Sequence, residues 1–227
     1  MFKFLKKKEK EKQKKSFIYF YPDNLEEYIE VDNIDNITYD LAFIYQRNNK
    51  YYIRPLGLND ERLIIAVGDL SKIKCDVCVN AARPTLLGGG GVDGAIHHAA
   101  GPELLEECKT LNGCETGKCK ITKGYNMHVK NIIHAVGPKW HGGNRNEEQY
   151  LKDVYKNSLD MAINNNLKTI AFPAISCGNY GYPMKEGIEI FFEIAKEYLK
   201  KYEDIKILFI VNESVYIQIQ KYFDTIK

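Results

Sequence analysis

No stretch of this 227-residue chain stays apolar long enough to cross a bilayer, which excludes a spanning helix. Net charge is also scarce, at +2, and most of the excess sits in the first fifteen residues, where lysine alternates with a few glutamates. The remainder is mildly acidic, so a nucleic-acid-binding core is not expected, and the basic tail reads as a solubilising arm rather than a nucleic-acid contact. The opening Met1-Phe2-Lys3-Phe4-Leu5 has too short an apolar part for a signal peptide, which makes a cytoplasmic protein the expectation. No internal repeat is present. The six cysteines include one C-x-x-C, Cys75 and Cys78, but neither a second regular pair nor partnered histidines accompany it. No metal site is expected from that spacing. Cys75, Cys78 and Cys177 lie in or beside strand-like segments and read as reduced, mostly buried thiols.

The length suits one large domain with an extension. Three parts are expected: a basic tail over 1–15, an extension over 16–60 and the main domain over 61–227. In the extension, Leu41–Tyr45 and Tyr51–Ile53 flank Asn48-Asn49 and read as a β-hairpin. In the main domain, apolar strand runs at 63–67, 76–80, 131–136, 169–173 and 206–211 alternate with helical periodicity. The helices are expected at 93–109, restarting at Gly101-Pro102, and at 147–164, 185–200 and 213–222, with a weaker strand at 121–125. Such alternation is α/β, a largely parallel central sheet covered on both faces.

The most informative segment is Val79-Asn80-Ala81-Ala82-Arg83-Pro84-Thr85-Leu86-Leu87, followed by Gly88 to Gly91, then Val92-Asp93-Gly94. Glycines let a ligand approach the main chain closely, and free N–H groups at the following helix start favour a phosphate. An acid in that place, Asp93, works against a phosphate unless it has chemistry to do. It is stabilised at a helix start as a base must be, although a plain N-cap would look the same. Gly89-x-Gly91-x-x-Gly94 fits the dinucleotide fingerprint, but several residues separate it from the strand. No Gly-Lys-Ser/Thr follows, which excludes a Walker loop. A second small-residue loop, Ala174-Ile175-Ser176-Cys177-Gly178-Asn179-Tyr180-Gly181-Tyr182-Pro183, leaves another strand end. Open α/β sheets bind ligands there, so the two loops are placed to grip one ligand from two sides.

Together with Gly68-Asp69-Leu70, His97, Ala99-Ala100-Gly101-Pro102, His134-Ala135-Val136-Gly137-Pro138 and Phe172-Pro173, these segments resemble the macrodomain family, and within it the MacroD-type branch. The resemblance runs from about Leu63 to the C-terminus. It implies a three-layer α/β/α sandwich that binds ADP-ribose and, in this branch, hydrolyses ester-type links: ADP-ribose on an acidic side chain of a protein, or the acetyl group of O-acetyl-ADP-ribose. It implies no metal and no cofactor, and a monomer is expected. By resemblance, Asp93 orients or activates water and Asn80 is catalytic with it. Asp69 would bind the adenine amine and the Leu70 backbone would seat the ring. Ala81, Arg83, Gly89, Gly90, Gly91 and Val92, with Ser176, Cys177, Gly178, Asn179 and Tyr180, would hold the diphosphate and distal ribose. Asn212 would border adenine. Two positions depart from the branch: Arg83 stands where asparagine is usual, and Asn212 where an aromatic is common. Arg83 therefore leaves a second reading open, an ADP-ribose reader with little or no turnover. His97 reads as packing or a supporting hydrogen bond, and His134 as a satisfied core histidine.

Overall fold

The computed structural model describes residues 29–31, 42–47, 50–55, 62–212 and 214–219, the first three segments as backbone. The expected tail at 1–15 lies outside them. Nine strands form one sheet: β1 (Ile29–Val31), β2 (Ala42–Arg47), β3 (Lys50–Pro55), β4 (Leu63–Val67), β5 (Cys75–Ala81), β6 (Cys119–Lys123), β7 (Val129–Ala135), β8 (Thr169–Phe172) and β9 (Lys206–Val211). Their spatial order is β1-β3-β2-β4-β9-β8-β5-β7-β6. The five strands β4, β9, β8, β5 and β7 run parallel, and β6 closes one edge antiparallel to β7. β2 and β3 pair antiparallel in the register Arg47↔Lys50, and β2 joins the main sheet parallel to β4.

Parallel strands need crossovers, and these supply the helices: α1 (Gly91–Ala100), α2 (Pro102–Thr110), α3 (Glu147–Asn164) and α4 (Met184–Lys201), with a final helical segment at 214–219. Alternation along the strands sorts the core into two layers. Val77, Val79, Ile133, Ala135, Ile170, Phe172, Ile207 and Phe209 face Leu151, Val154, Phe191 and Ile194 of α3 and α4. Cys78, Ile132, Ala171, Leu208 and Ile210 face Ile96 and Ala100 of α1 and Leu104 and Cys108 of α2. The fold is a three-layer α/β/α sandwich. Gly101, at φ +91, breaks the helical run, and Pro102 starts α2 where its missing N–H costs nothing.

Because five adjacent strands point the same way, their C-terminal ends lie along one edge. β4 leads into Gly68-Asp69, β5 feeds the glycine run, β8 feeds the second loop and β9 leads into Asn212. β5 and β8 are direct neighbours, which puts the two loops side by side.

Candidate functional site

The glycine run enters α1 through Gly90, an extended N-cap residue with no side chain to cover the first-turn N–H groups. A Cβ built at Gly90 or Gly91 meets open space, whereas one at Gly94 would strike the Gly89 carbonyl oxygen at 2.5 Å. The loop is thus pinned against its own helix on one side and bare on the other, the arrangement that receives an anion at a helix N-terminus. In the second loop, Ser176 holds the left-handed conformation at φ +65, and the Ile175 N–H donates to the Tyr155 hydroxyl at 3.1 Å. The Trp140 N–H donates to the Tyr180 carbonyl at 2.8 Å, so the stretch after β7 braces this loop, a support not visible in the sequence. Glu147 shapes that stretch from below, accepting from the His141 N–H at 2.9 Å and the Gly143 N–H at 3.3 Å. Burial opposes its charge, yet these backbone donors hold its pKa below the usual glutamate value.

Beneath the glycine run lies a buried polar chain. Asn80, fully buried at the end of β5, donates from Nδ2 to Asp93 Oδ1 at 2.7 Å, and the same nitrogen lies 3.2 Å from His134 Nδ1 on β7. His134 Nε2 lies 3.0 Å from Thr122 Oγ1, whose hydroxyl donates to the Lys123 carbonyl at 3.2 Å. Asp93 itself is 4% exposed. Burial, reinforced by His97, holds the His134 imidazole neutral, its pKa lowered to about 3. His97 Nε2 is 3.6 Å from Asp93 Oδ1, beyond hydrogen-bond length.

Among the described residues, four buried side-chain polar atoms have no hydrogen-bond partner: Asn80 Oδ1, Asp93 Oδ2, His97 Nε2 and Ser176 Oγ. Each such atom costs about 1–3 kcal/mol when left bare, and native folds rarely tolerate several together. They come from the Val79–Gly94 segment, from His97 and from the second loop. Arg83 leans across the same place: a Cβ on Gly89 would lie 2.7 Å from Arg83 Nε and 3.0 Å from Asp93 Oδ2. Burial raises the Tyr180 phenol above its ordinary value, Arg83 opposing the shift and Asp93 adding to it, which puts Tyr180 within electrostatic reach of both.

The remaining expected residues line the same edge. Leu70 is buried in a short 3-10 turn, and the exposed Asp69 accepts from the Ser71 N–H at 3.0 Å and the Ser71 hydroxyl at 2.7 Å through Oδ1, with Lys72 Nζ 3.6 Å from Oδ2. Ala81 ends β5 and Val92 is exposed in the first turn of α1. Gly178 and Asn179 are exposed, whereas the Cys177 thiol turns inward to the Ile175 carbonyl and packs on Gly187. Asn212 Oδ1 accepts the Val215 N–H at 3.0 Å, so its side chain caps the last helical segment. Cys75 and Cys78 point to separate backbone carbonyls, Val77 and Leu70, as free thiols. Among the described residues one donor set approaches metal-ligand spacing, the His97, Cys108 and His134 atoms lying within 4.8 Å of one another. In this set His134 Nε2 lies 3.0 Å from Thr122 Oγ1 and 3.6 Å from Cys108 Sγ, burial pushes the Cys108 thiol up to about 11, and His97 Nε2 has no hydrogen-bond partner.

Residues 79–191 match the model of the Macro domain family. A macro domain-containing protein of Methanosarcina mazei is 54% identical over 162 residues, covering 71% of this chain and 83% of that one. The chain belongs to the macrodomain family. An O-acetyl-ADP-ribose deacetylase of Klebsiella pneumoniae is 49% identical to this macrodomain over 151 residues, 64% of this chain and 86% of that one. Among solved structures, the Oceanobacillus iheyensis macrodomain with ADP superposes with a TM-score of 0.67 at 35% identity, covering 82% and 98% of the two chains. The Trypanosoma brucei macrodomain in complex with ADP-ribose does so with a TM-score of 0.68 at 35% identity, covering 77% and 74%.

Proposed function

We propose that this macrodomain binds ADP-ribose and hydrolyses an ester at its distal ribose, releasing ADP-ribose from acidic side chains of proteins or acetate from O-acetyl-ADP-ribose. The observation that carries this reading is the buried Asn80–Asp93 pair, whose free oxygens lie under a backbone cradle suited to a diphosphate. Relatives named as O-acetyl-ADP-ribose deacetylases and solved neighbours holding ADP or ADP-ribose support the ligand class. In the reaction, Asp93 Oδ2 holds the attacking water and takes one of its protons as the hydroxyl adds to the acyl carbon; the ester C–O bond then breaks, Asp93 returns that proton to the leaving ribose oxygen, and the products are a carboxylic acid and a ribose hydroxyl. Asn80 keeps the Asp93 carboxylate aimed by holding its other oxygen.

The test is calorimetry with ADP-ribose, followed on the same sample by a release assay on glutamate-linked ADP-ribosyl protein and on O-acetyl-ADP-ribose. Binding with release that disappears in Asp93→Ala is the expected result. Absence of heat with millimolar ligand overturns the reading. A second reading rests on Arg83, whose side chain shares the space above Gly89 with Asp93 Oδ2: a reader that binds without turnover. Heat without release in the wild type, and release gained by Arg83→Asn, would favour it.

A further inference from the structure

Read from the Asp93 carboxylate, the hydrogen-bonded chain under the glycine run fixes the proton on the His134 ring, and this gives His134 a task beyond filling the core. Asp93 Oδ1 lies 2.7 Å from one terminal atom of the Asn80 amide. A carboxylate oxygen can only accept, and two facing acceptors at that distance repel, so the atom must be Nδ2. The same Nδ2 sits 3.2 Å from His134 Nδ1, which must therefore be the bare, accepting nitrogen. The imidazole proton then belongs on Nε2, where Thr122 Oγ1 is 3.0 Å away and accepts it, with Cys108 Sγ a longer neighbour at 3.6 Å. Thr122 in turn sends its own hydroxyl proton to the Lys123 carbonyl, 3.2 Å away. Both N–H groups of Asn80 are thus spent on protein, one on Asp93 and one on His134.

We propose that His134 is a positioning residue: as the Nε2–H tautomer it locks the Asn80 amide so that Nδ2 aims Asp93 and Oδ1 is presented to a hydroxyl of the bound ligand. Asn80 Oδ1 is buried and has no protein partner, as an acceptor reserved for a ligand must be. Parallel pairing puts the two residues opposite each other, Asn80↔His134, so the lock is built into the sheet register rather than into a loop. The ligand side of this inference rests on the ADP-ribose reading; the tautomer does not.

Two measurements test it. Nitrogen-15 NMR of histidine-labelled protein, with His134 assigned by its loss in His134→Phe, should show a protonated Nε2 and an unprotonated Nδ1 that persist across neutral and mildly acidic pH. A protonated Nδ1, or an imidazolium at neutral pH, overturns the proposal whatever the protein's function. In the kinetic arm, His134→Leu should lower kcat about tenfold, the rate equivalent of one lost hydrogen bond. It should also weaken ADP-ribose binding several-fold by calorimetry. His134→Asn, whose Oδ1 can accept as Nδ1 does, should recover most of both. Equal loss in the Leu and Asn variants, each verified as folded by its thermal melt, counts against positioning. Wild-type protein that shows the expected tautomer but gives no heat with ADP-ribose refutes the functional reading while leaving the amide lock in place.

Discussion

The two faces of the central sheet are built on opposite policies. Against α3 and α4 the strands present apolar side chains, most of them branched or aromatic: Phe191 stacks on Phe209 at 4.1 Å and meets Tyr155 and Phe172 edge-on. Against α1 and α2 the same strands carry Asn80 and His134, joined to Asp93 and Thr122 within an otherwise apolar layer. The first face supplies stability through burial and packing. The second gives part of it up, leaving polar atoms bare inside the protein so that their directions are fixed before a ligand arrives. Chemistry and stability are thereby separated by the thickness of one sheet.

That division can be broken from either side. Asp93→Ala should lower release of ADP-ribose by about 10²–10⁴-fold with only a small change in the thermal midpoint, since the bare Oδ2 it removes offsets the Asn80 N–H it leaves without an acceptor; a large loss of stability would contradict the division. Phe209→Ala on the opposite face should cost about 3–5 kcal/mol in denaturant unfolding and leave turnover per folded molecule intact.

Asp76 belongs to the stability side, tying β5 to β8 through the Lys168 and Thr169 N–H groups at 2.9 and 3.0 Å and pairing with Lys130 at 2.7 Å. Partial burial opposes its charge, but these donors lower its pKa from 3.8 to about 2. Its contribution is therefore complete above pH 3.8 and is lost as pH falls through about 2. Asp76→Asn should cost about 1–3 kcal/mol at neutral pH, and the gap from wild type should close over that acid window in pH-dependent melts. His134 works in a different window. The unfolded imidazole takes a proton near 6.5 that the folded one refuses until about 3, so stability declines as pH drops from 6.5 toward 3, and His134→Phe should flatten that slope. The smallest effect is expected from Arg83→Asn, a few-fold rise in turnover with little change in melting temperature; unchanged turnover would make Arg83 a neutral neighbour of Asp93.

The alternation of strands and helices was legible because each period is local: α3 spans Glu147–Asn164 and β9 spans Lys206–Val211, as the apolar spacing predicts. The two cradle loops were legible because glycine and small residues are concentrated where backbone must be exposed. The link between Asn80 and His134 was not, since 54 residues separate them and only strand order makes them neighbours. His134 is indeed a satisfied core histidine, but its satisfaction comes from a residue of the site. The brace from Trp140 to Tyr180 escaped for a similar reason, being a main-chain bond that no side-chain pattern records.

The pairing of β2 alongside β4 has a consequence for how the molecule coexists with its own copies. The run from β4 to β6 forms a six-stranded sheet whose β4 border would otherwise offer a row of unclaimed main-chain donors and acceptors, an invitation for another strand to dock. Strand β2 occupies that border, with β3 paired on its far side. Cutting the protein back to residue 62 would strip the seam open and favour self-association at the margin farthest from β6.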